Sequence, residues 1–206
     1  MDAGYAIELD VQASADGEAF VFHDADLDRM TDEHGPVRER NAGSLEEVRL
    51  RGSGEPIPRL AEVLALIDRR VPLLLELKTP TDDVKVVCGA TARALSDYAG
   101  EVAVAGFNPD VGRWFATTCP RLPRGLIVTS QSKRFSQGPV ARGLALRRSR
   151  AEFVAFDVRD LPSAWAARVR RGRRPLLAWT VRTPEQVARA EPRADAFIFE
   201  TIRPAR

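Results

Sequence analysis

Eight short apolar runs rich in Val, Ile, Leu and Phe recur along the chain, and their recurrence constrains the fold more than any other feature. They are AIELDV (6–11), AFVFHD (19–24), LLLELK (73–78), VAVAGF (102–107), GLIVTS (125–130), FVAFDV (153–158), PLLAWT (175–180) and DAFIFE (195–200). Each has the length and composition of a buried strand. Between most of them lie segments with helical spacing: SLEEVRL (44–50), LAEVLALIDRR (60–70), TDDVKVVCGATARALSDY (81–98), NPDVGRWFATT (108–118), PVARGLALRRS (139–149), SAWAARVRRG (163–172) and TPEQVARAE (183–191). Thr81 is expected to cap the third of these. Thr183, Pro184, Glu185 and Gln186 give the last a cap, a first-turn proline and first-turn acceptors. Strand and helix in alternation over nearly the whole chain predict a parallel sheet. With this many units and no dinucleotide-type glycine fingerprint, a TIM-type (β/α)8 barrel is expected, as one domain over 1–206.

One connection departs from the alternation. Only QASADGE separates the first two runs, too short for a crossover helix, and Asp16-Gly17 is a turn signal, so these two strands are predicted to form a hairpin. With Asp16 and Gly17 as the central turn residues, Asp10 falls opposite His23 and shares its face.

Strand alternation then locates the chemistry. Glu8 and Asp10 point to one side of their strand, and Ile7, Leu9 and Val11 to the other. The same count places Glu76 and Lys78 inward with Leu74, while Leu73, Leu75 and Leu77 pack outward. Three acids, a lysine and a histidine are therefore expected to converge inside the barrel. A buried carboxylate without a partner protonates, and three together call for a cation. Oxygen ligands without thiolates fit a hard divalent ion, Mg²⁺ or Ca²⁺, with Glu8, Asp10 and Glu76 as ligands, better than a structural zinc. Ion pairs of Glu8 and Glu76 with Lys78 and an arginine are the alternative. His23 ends its strand, where barrel enzymes carry catalytic groups, and is assigned a general acid/base role. His34, in the polar TDEHGPVRE loop, is expected at the surface.

The succession IELDV, DG, VFHD, GPV, IPRLAEVL, LLLELK, GFNP and LLAWTVRTPE resembles the glycerophosphodiester phosphodiesterase family along essentially the whole chain. The resemblance implies a phosphodiesterase barrel of the phospholipase C-like kind that uses a divalent cation to cleave glycerophosphodiesters to glycerol 3-phosphate and an alcohol, through attack by a neighbouring glycerol hydroxyl and a cyclic phosphate. By motif it makes Glu8, Asp10 and Glu76 metal ligands, His23 one of two catalytic histidines, and Lys78 a phosphate contact. Trp179 and Phe107 would line the substrate cleft, although both also suit barrel core. A small-molecule glycerophosphodiester is the expected partner. The family's opening strand with its His-Arg-Gly motif has no counterpart before Met1-Asp2-Ala3-Gly4, so the barrel is expected to be incomplete at the N-terminus, with an unpaired edge and impaired turnover. Glu200 stands where the family ends in a different acidic motif, and it is assigned no role. A phospholipase D-like barrel acting on lysophospholipids or sphingolipids, and a non-catalytic phosphodiester binder, are the competing readings.

Composition narrows the rest. The basic residues are almost all arginine, Lys78, Lys85 and Lys133 being the only lysines, and acids are interspersed. The clusters LALRRSR (144–150) and RVRRGRRP (168–175) read as solvated helix ends, so no nucleic-acid partner is expected. Cys88 and Cys119 form neither a CxxC nor a disulfide framework, no apolar stretch is long enough to span a bilayer, and the first ten residues are acidic. Together these predict a cytoplasmic protein without an integral membrane segment.

Overall fold

A computed structural model describes residues 4–79, 81–131 and 138–203. It contains β1 (Ile7–Ala13), β2 (Ala19–Val21), α1 (Ala42–Glu47), α2 (Leu60–Ile67), β3 (Leu73–Leu77), α3 (Lys85–Ala94), β4 (Val102–Gly106), α4 (Pro109–Thr118), β5 (Arg124–Val128), α5 (Pro139–Ser149), β6 (Phe153–Asp157), α6 (Ala164–Arg171), β7 (Leu176–Val181), α7 (Pro184–Ala190) and β8 (Ala196–Phe199). The strands form one sheet in the order β2-β1-β3-β4-β5-β6-β7-β8. Every neighbouring pair is parallel except the β1–β2 hairpin. This is an α/β, TIM-type barrel that is incomplete. β2 pairs with Val11–Ala13 and, through an isolated bridge at Phe20, with Arg59, and among the described residues no strand pairing joins β8 to β1. The Tyr5 and Phe199 rings nevertheless meet edge to face at 5.0 Å.

Helix starts follow local chemistry. Asn108 accepts from the Asp110 amide at 2.9 Å ahead of Pro109, and Thr183 accepts from the Gln186 amide at 3.3 Å ahead of Pro184. Thr81 does not cap α3. The helix begins four residues later, at Lys85, whose amide is taken by Asp83 at 2.9 Å, because the aspartate carboxylate closes a local turn on its own backbone. In α2, Leu60, Leu64 and Ile67 recur at helical spacing and are buried against the outer face of the sheet with Leu73, Leu75 and Leu77. Each such side chain contributes about 2 kcal/mol by leaving water. A matching outer layer forms under α6 and α7 from Val154, Phe156, Leu176 and Ala178. The interior layer is smaller, built on Ala105, Ile127, Phe153 and Ala155. Gly125 keeps it open, since a Cβ there would lie 2.2 Å from the Phe153 ring.

The hairpin forms, but its register is one residue away from the expected one. Val11 faces Val21 and Ala13 faces Ala19, leaving a five-residue loop, Ser14–Glu18. Gly17 takes φ +86°, its amide bonds to the Ser14 carbonyl at 3.0 Å, and the Ser14 amide bonds to the Glu18 carbonyl at 2.9 Å. The left-handed glycine thus adds a residue to the turn, so the Asp10 carbonyl takes the Phe22 amide at 3.0 Å and His23 lies beyond the pairing. From there to Arg59 the chain crosses one end of the barrel over its own small core of Phe20, Phe22, Leu27, Val37, Leu45 and Ile57.

Candidate active site

The interior faces of the strands open at their C-terminal ends into a cavity of about 410 Å³ lined by Glu8, Asp10, His23, Glu76, Lys78, Phe107 and Trp179, and by Asp157, Arg159, Arg182, Gln186 and Glu200 from the ends of the later strands. A larger groove, about 620 Å³, lies outside the barrel along α6, but no acid or histidine lines it. The cavity at the strand ends is where the chemistry of the chain gathers, as in barrels generally.

Its first wall comes from β1 and β3. The pairing of Asp10 with Glu76 sets the carboxylates on adjacent strands side by side. Glu8, Asp10 and Glu76 each present an oxygen within 4.8 Å of the others, as a cation site requires. The Lys78 ammonium sits 2.8 Å from Asp10 and 2.5 Å from Glu76, leaving Glu8 without a hydrogen-bond donor among the described residues. Burial, with Asp10 and Glu76 repelling, lifts Glu8 to about 8, so it is largely protonated at neutral pH. Burial also raises Glu76, against the pull of Lys78. Burial alone would lower Lys78, but Glu76 and Asp10 hold it above its ordinary value. Three carboxylates share one ammonium, an imbalance that a divalent cation corrects.

The structure brings His23 to the rim of this cavity despite the shifted register. Its ring is 62% exposed, and Nδ1 lies 2.6 Å from Asp24 Oδ1. Asp24 is gripped in turn by Arg29 Nε at 2.5 Å and Nη2 at 2.7 Å, and chiefly through that pair its carboxyl falls to about 2. An ionised carboxylate can only accept, so the proton resides on Nδ1 and Nε2 is left as the basic nitrogen. His34 is exposed and bonds Asp28 at 2.9 Å, outside the cavity lining.

The second wall comes from β6, β7 and the residues after β8, and the sequence reading had not assigned it. Asp157, only 1% exposed, takes Thr129 Oγ1 at 2.8 Å and Arg159 through Nε at 2.9 Å and Nη2 at 2.6 Å. Burial alone would raise its pKa, but Arg159 holds it below the usual carboxylate range. Arg182 pairs with Glu200 at 2.8 Å. The signal was present in FVAFDV, where Phe153, Ala155 and Asp157 alternate inward as Glu8 and Asp10 do. Between the walls, Phe107 and Trp179 pack edge to face at 5.5 Å, serving both as inner core and as cavity lining. Among the described residues the buried Trp179 Nε1 finds no hydrogen-bond acceptor.

Elsewhere, Cys88 and Cys119 are free thiols, and burial pushes Cys88 up, which suits a structural role. Among the described residues no helix is long and apolar enough to cross a membrane.

Comparison with known proteins places this geometry. Residues 2–199 match the model of the Glycerophosphoryl diester phosphodiesterase family. A protein of Caldanaerobacter subterraneus subsp. tengcongensis named glycerophosphodiester phosphodiesterase is 32% identical over 138 residues, 59% of this chain and 54% of that relative, so the match spans about half of the relative's length. Among solved structures, an Oleispira antarctica phosphodiesterase in complex with the product sn-glycerol-3-phosphate is similar with a TM-score of 0.80 at 20% identity, covering 93% of this chain and 79% of that one. A glycerophosphodiester phosphodiesterase of Thermotoga maritima is similar with a TM-score of 0.73 at 17% identity, covering 93% and 80%. These two likenesses support the barrel fold.

Proposed function

Because this chain belongs to the glycerophosphoryl diester phosphodiesterase family, we propose that it is a metal-dependent phosphoric diester hydrolase that cleaves glycerophosphodiesters to glycerol 3-phosphate and an alcohol. The observation that carries the proposal is the cluster of Glu8, Asp10 and Glu76 beside Lys78 and His23 in one cavity. The three carboxylates fit Mg²⁺ or Ca²⁺, since they are hard oxygen donors with one ammonium between them. A divalent cation there supplies charge stabilisation for phosphoryl oxygens. Lys78 adds a fixed positive charge for the phosphate, and its two carboxylate partners hold it in place. His23 Nε2 exchanges a proton with the attacking or leaving oxygen, while Asp24 and Arg29 fix its ring. Trp179 donates its unpartnered N–H to a substrate oxygen, and with Phe107 it lines the substrate cleft. The two free thiols suit a cytoplasmic setting.

Family resemblance implies two catalytic histidines, whereas this sequence has two in all and His34 lies outside the cavity. With a single histidine in the cavity the proposal is of slow turnover, and the same observation favours a second reading in which the chain binds phosphodiesters without cleaving them. A hydrolysis assay with glycerophosphocholine and Mg²⁺ or Ca²⁺ separates the two. Slow release of glycerol 3-phosphate, reduced on the order of a hundredfold in His23→Ala, supports the hydrolase. Binding without release supports the second reading, and release untouched by His23→Ala overturns the role of His23.

A further inference from the structure

The second wall of the cavity carries charged groups that the proposed chemistry does not use. From it we infer that Arg159 reads an anionic substituent on the head group, so that the favoured substrates are glycerophosphodiesters whose alcohol portion bears a carboxylate or another anion. This inference rests on the functional reading above and specifies its substrate class.

The sheet order places the wall. β4 and β5 separate β3 from β6, so Asp157 and Arg159 face the acid cluster across the barrel. A diester with its phosphate at Lys78 therefore extends its head group toward them. Asp157 is buried and holds the Arg159 guanidinium by Nε and Nη2, with Thr129 bracing the carboxylate from the far side. This clamp fixes the planar group, so little side-chain freedom is lost on binding. Among the described residues Arg159 Nη1 has no partner, and the side chain, 57% exposed, lines the cavity.

The free hydrogen-bonding capacity of this wall is mostly donor. Gln186 gives its oxygen to the Arg182 amide at 2.6 Å, which leaves its Nε2 to donate beside the open Nη1 of Arg159. The carboxylates of Asp157 and Glu200 are already paired with guanidiniums. An ammonium head group therefore meets acids that are taken, while a carboxylate meets donors that are free.

Glycerophosphoserine and glycerophosphoethanolamine differ by one carboxylate and make a matched pair of probes. Titrated into the Ca²⁺-loaded full chain, glycerophosphoserine is expected to bind about tenfold more tightly, a charge-assisted contact moderated by partial exposure. Arg159→Gln should bring the two within about twofold while leaving sn-glycerol 3-phosphate binding intact, and Arg171→Gln, outside the cavity, should keep the preference. Equal affinities in the wild type, tighter ethanolamine binding through the aromatic pair, or a preference that survives Arg159→Gln would each overturn the inference while leaving the functional reading in place. If sn-glycerol 3-phosphate and both diesters fail to bind, the functional reading falls, and the head-group inference with it.

Discussion

The two walls of the cavity handle buried charge in opposite ways. On β1 and β3, Glu8, Asp10 and Glu76 have, among the described residues, only Lys78 between them, and Glu8 is pushed up to about 8. On the second wall each acid has its own arginine: Arg159 for Asp157 and Arg182 for Glu200. Burial raises both Glu8 and Asp157, yet Glu8 stays raised, with Asp10 and Glu76 repelling it, while hydrogen bonds from Arg159 and Thr129 bring Asp157 below the usual carboxylate range. A balanced wall holds itself together. An unbalanced one keeps a charge that the proposed divalent cation would offset.

That contrast predicts substitutions of opposite sign, measured in metal-free buffer. Asp157→Ala strips Thr129 and Arg159 of their buried acceptor and should cost about 2 kcal/mol in denaturant unfolding, less than a fully buried pair because Arg159 can hydrate. Glu8→Gln removes an uncompensated acid and should instead stabilise the protein, on the order of 1 kcal/mol at pH 8. Matching losses from both would erase the distinction between the walls.

The second prediction sharpens the first through pH. A carboxyl whose folded pKa lies above its unfolded value contributes stability that is fully present below the unfolded pKa and lost as pH rises through the folded one. For Glu8 the window runs from 4.5 to about 8. The thermal midpoint of the metal-free protein should fall across that window, and Glu8→Gln should flatten the fall. An unchanged slope in the variant would assign the titration to another group.

The smallest effect concerns the rim. Arg29 and Asp24 are an exposed and a partly exposed partner, so Arg29→Ala should leave the unfolding free energy nearly unchanged. It should still lower the turnover supported by His23, because Asp24 then loses the group that holds it against the ring. A variant with unaltered hydrolysis would reduce the Asp24–Arg29 pair to a surface contact.

Much of the first wall was legible because strand alternation is simple geometry: once IELDV and LLLELK are strands, Glu8, Asp10, Glu76 and Lys78 must share the interior. His23 reached the site although its predicted cross-strand position was one residue off, since the left-handed Gly17 lengthened the turn and the chain left the pairing before the histidine. Thr81 lost its capping role to Asp83, a competition between neighbouring side chains that sequence spacing does not resolve. The second wall was missed for a different reason. Asp157 follows the same alternation, but Arg159, Arg182 and Glu200 lie just past the strands, where periodicity ends and only the folded chain shows which guanidinium meets which carboxylate.

The central claim, that the unbalanced wall is completed by a divalent cation, is tested most directly by titrating Mg²⁺ or Ca²⁺ into the metal-free protein while following its thermal midpoint. A ligand that binds only the folded state must raise that midpoint, by about 2.7 kcal/mol of stability at a hundred times its dissociation constant. The wild-type chain and Asp157→Ala should both show the rise, and Glu8→Ala combined with Glu76→Ala should show none. No rise in the wild type, or the same rise in the double variant, would contradict the account.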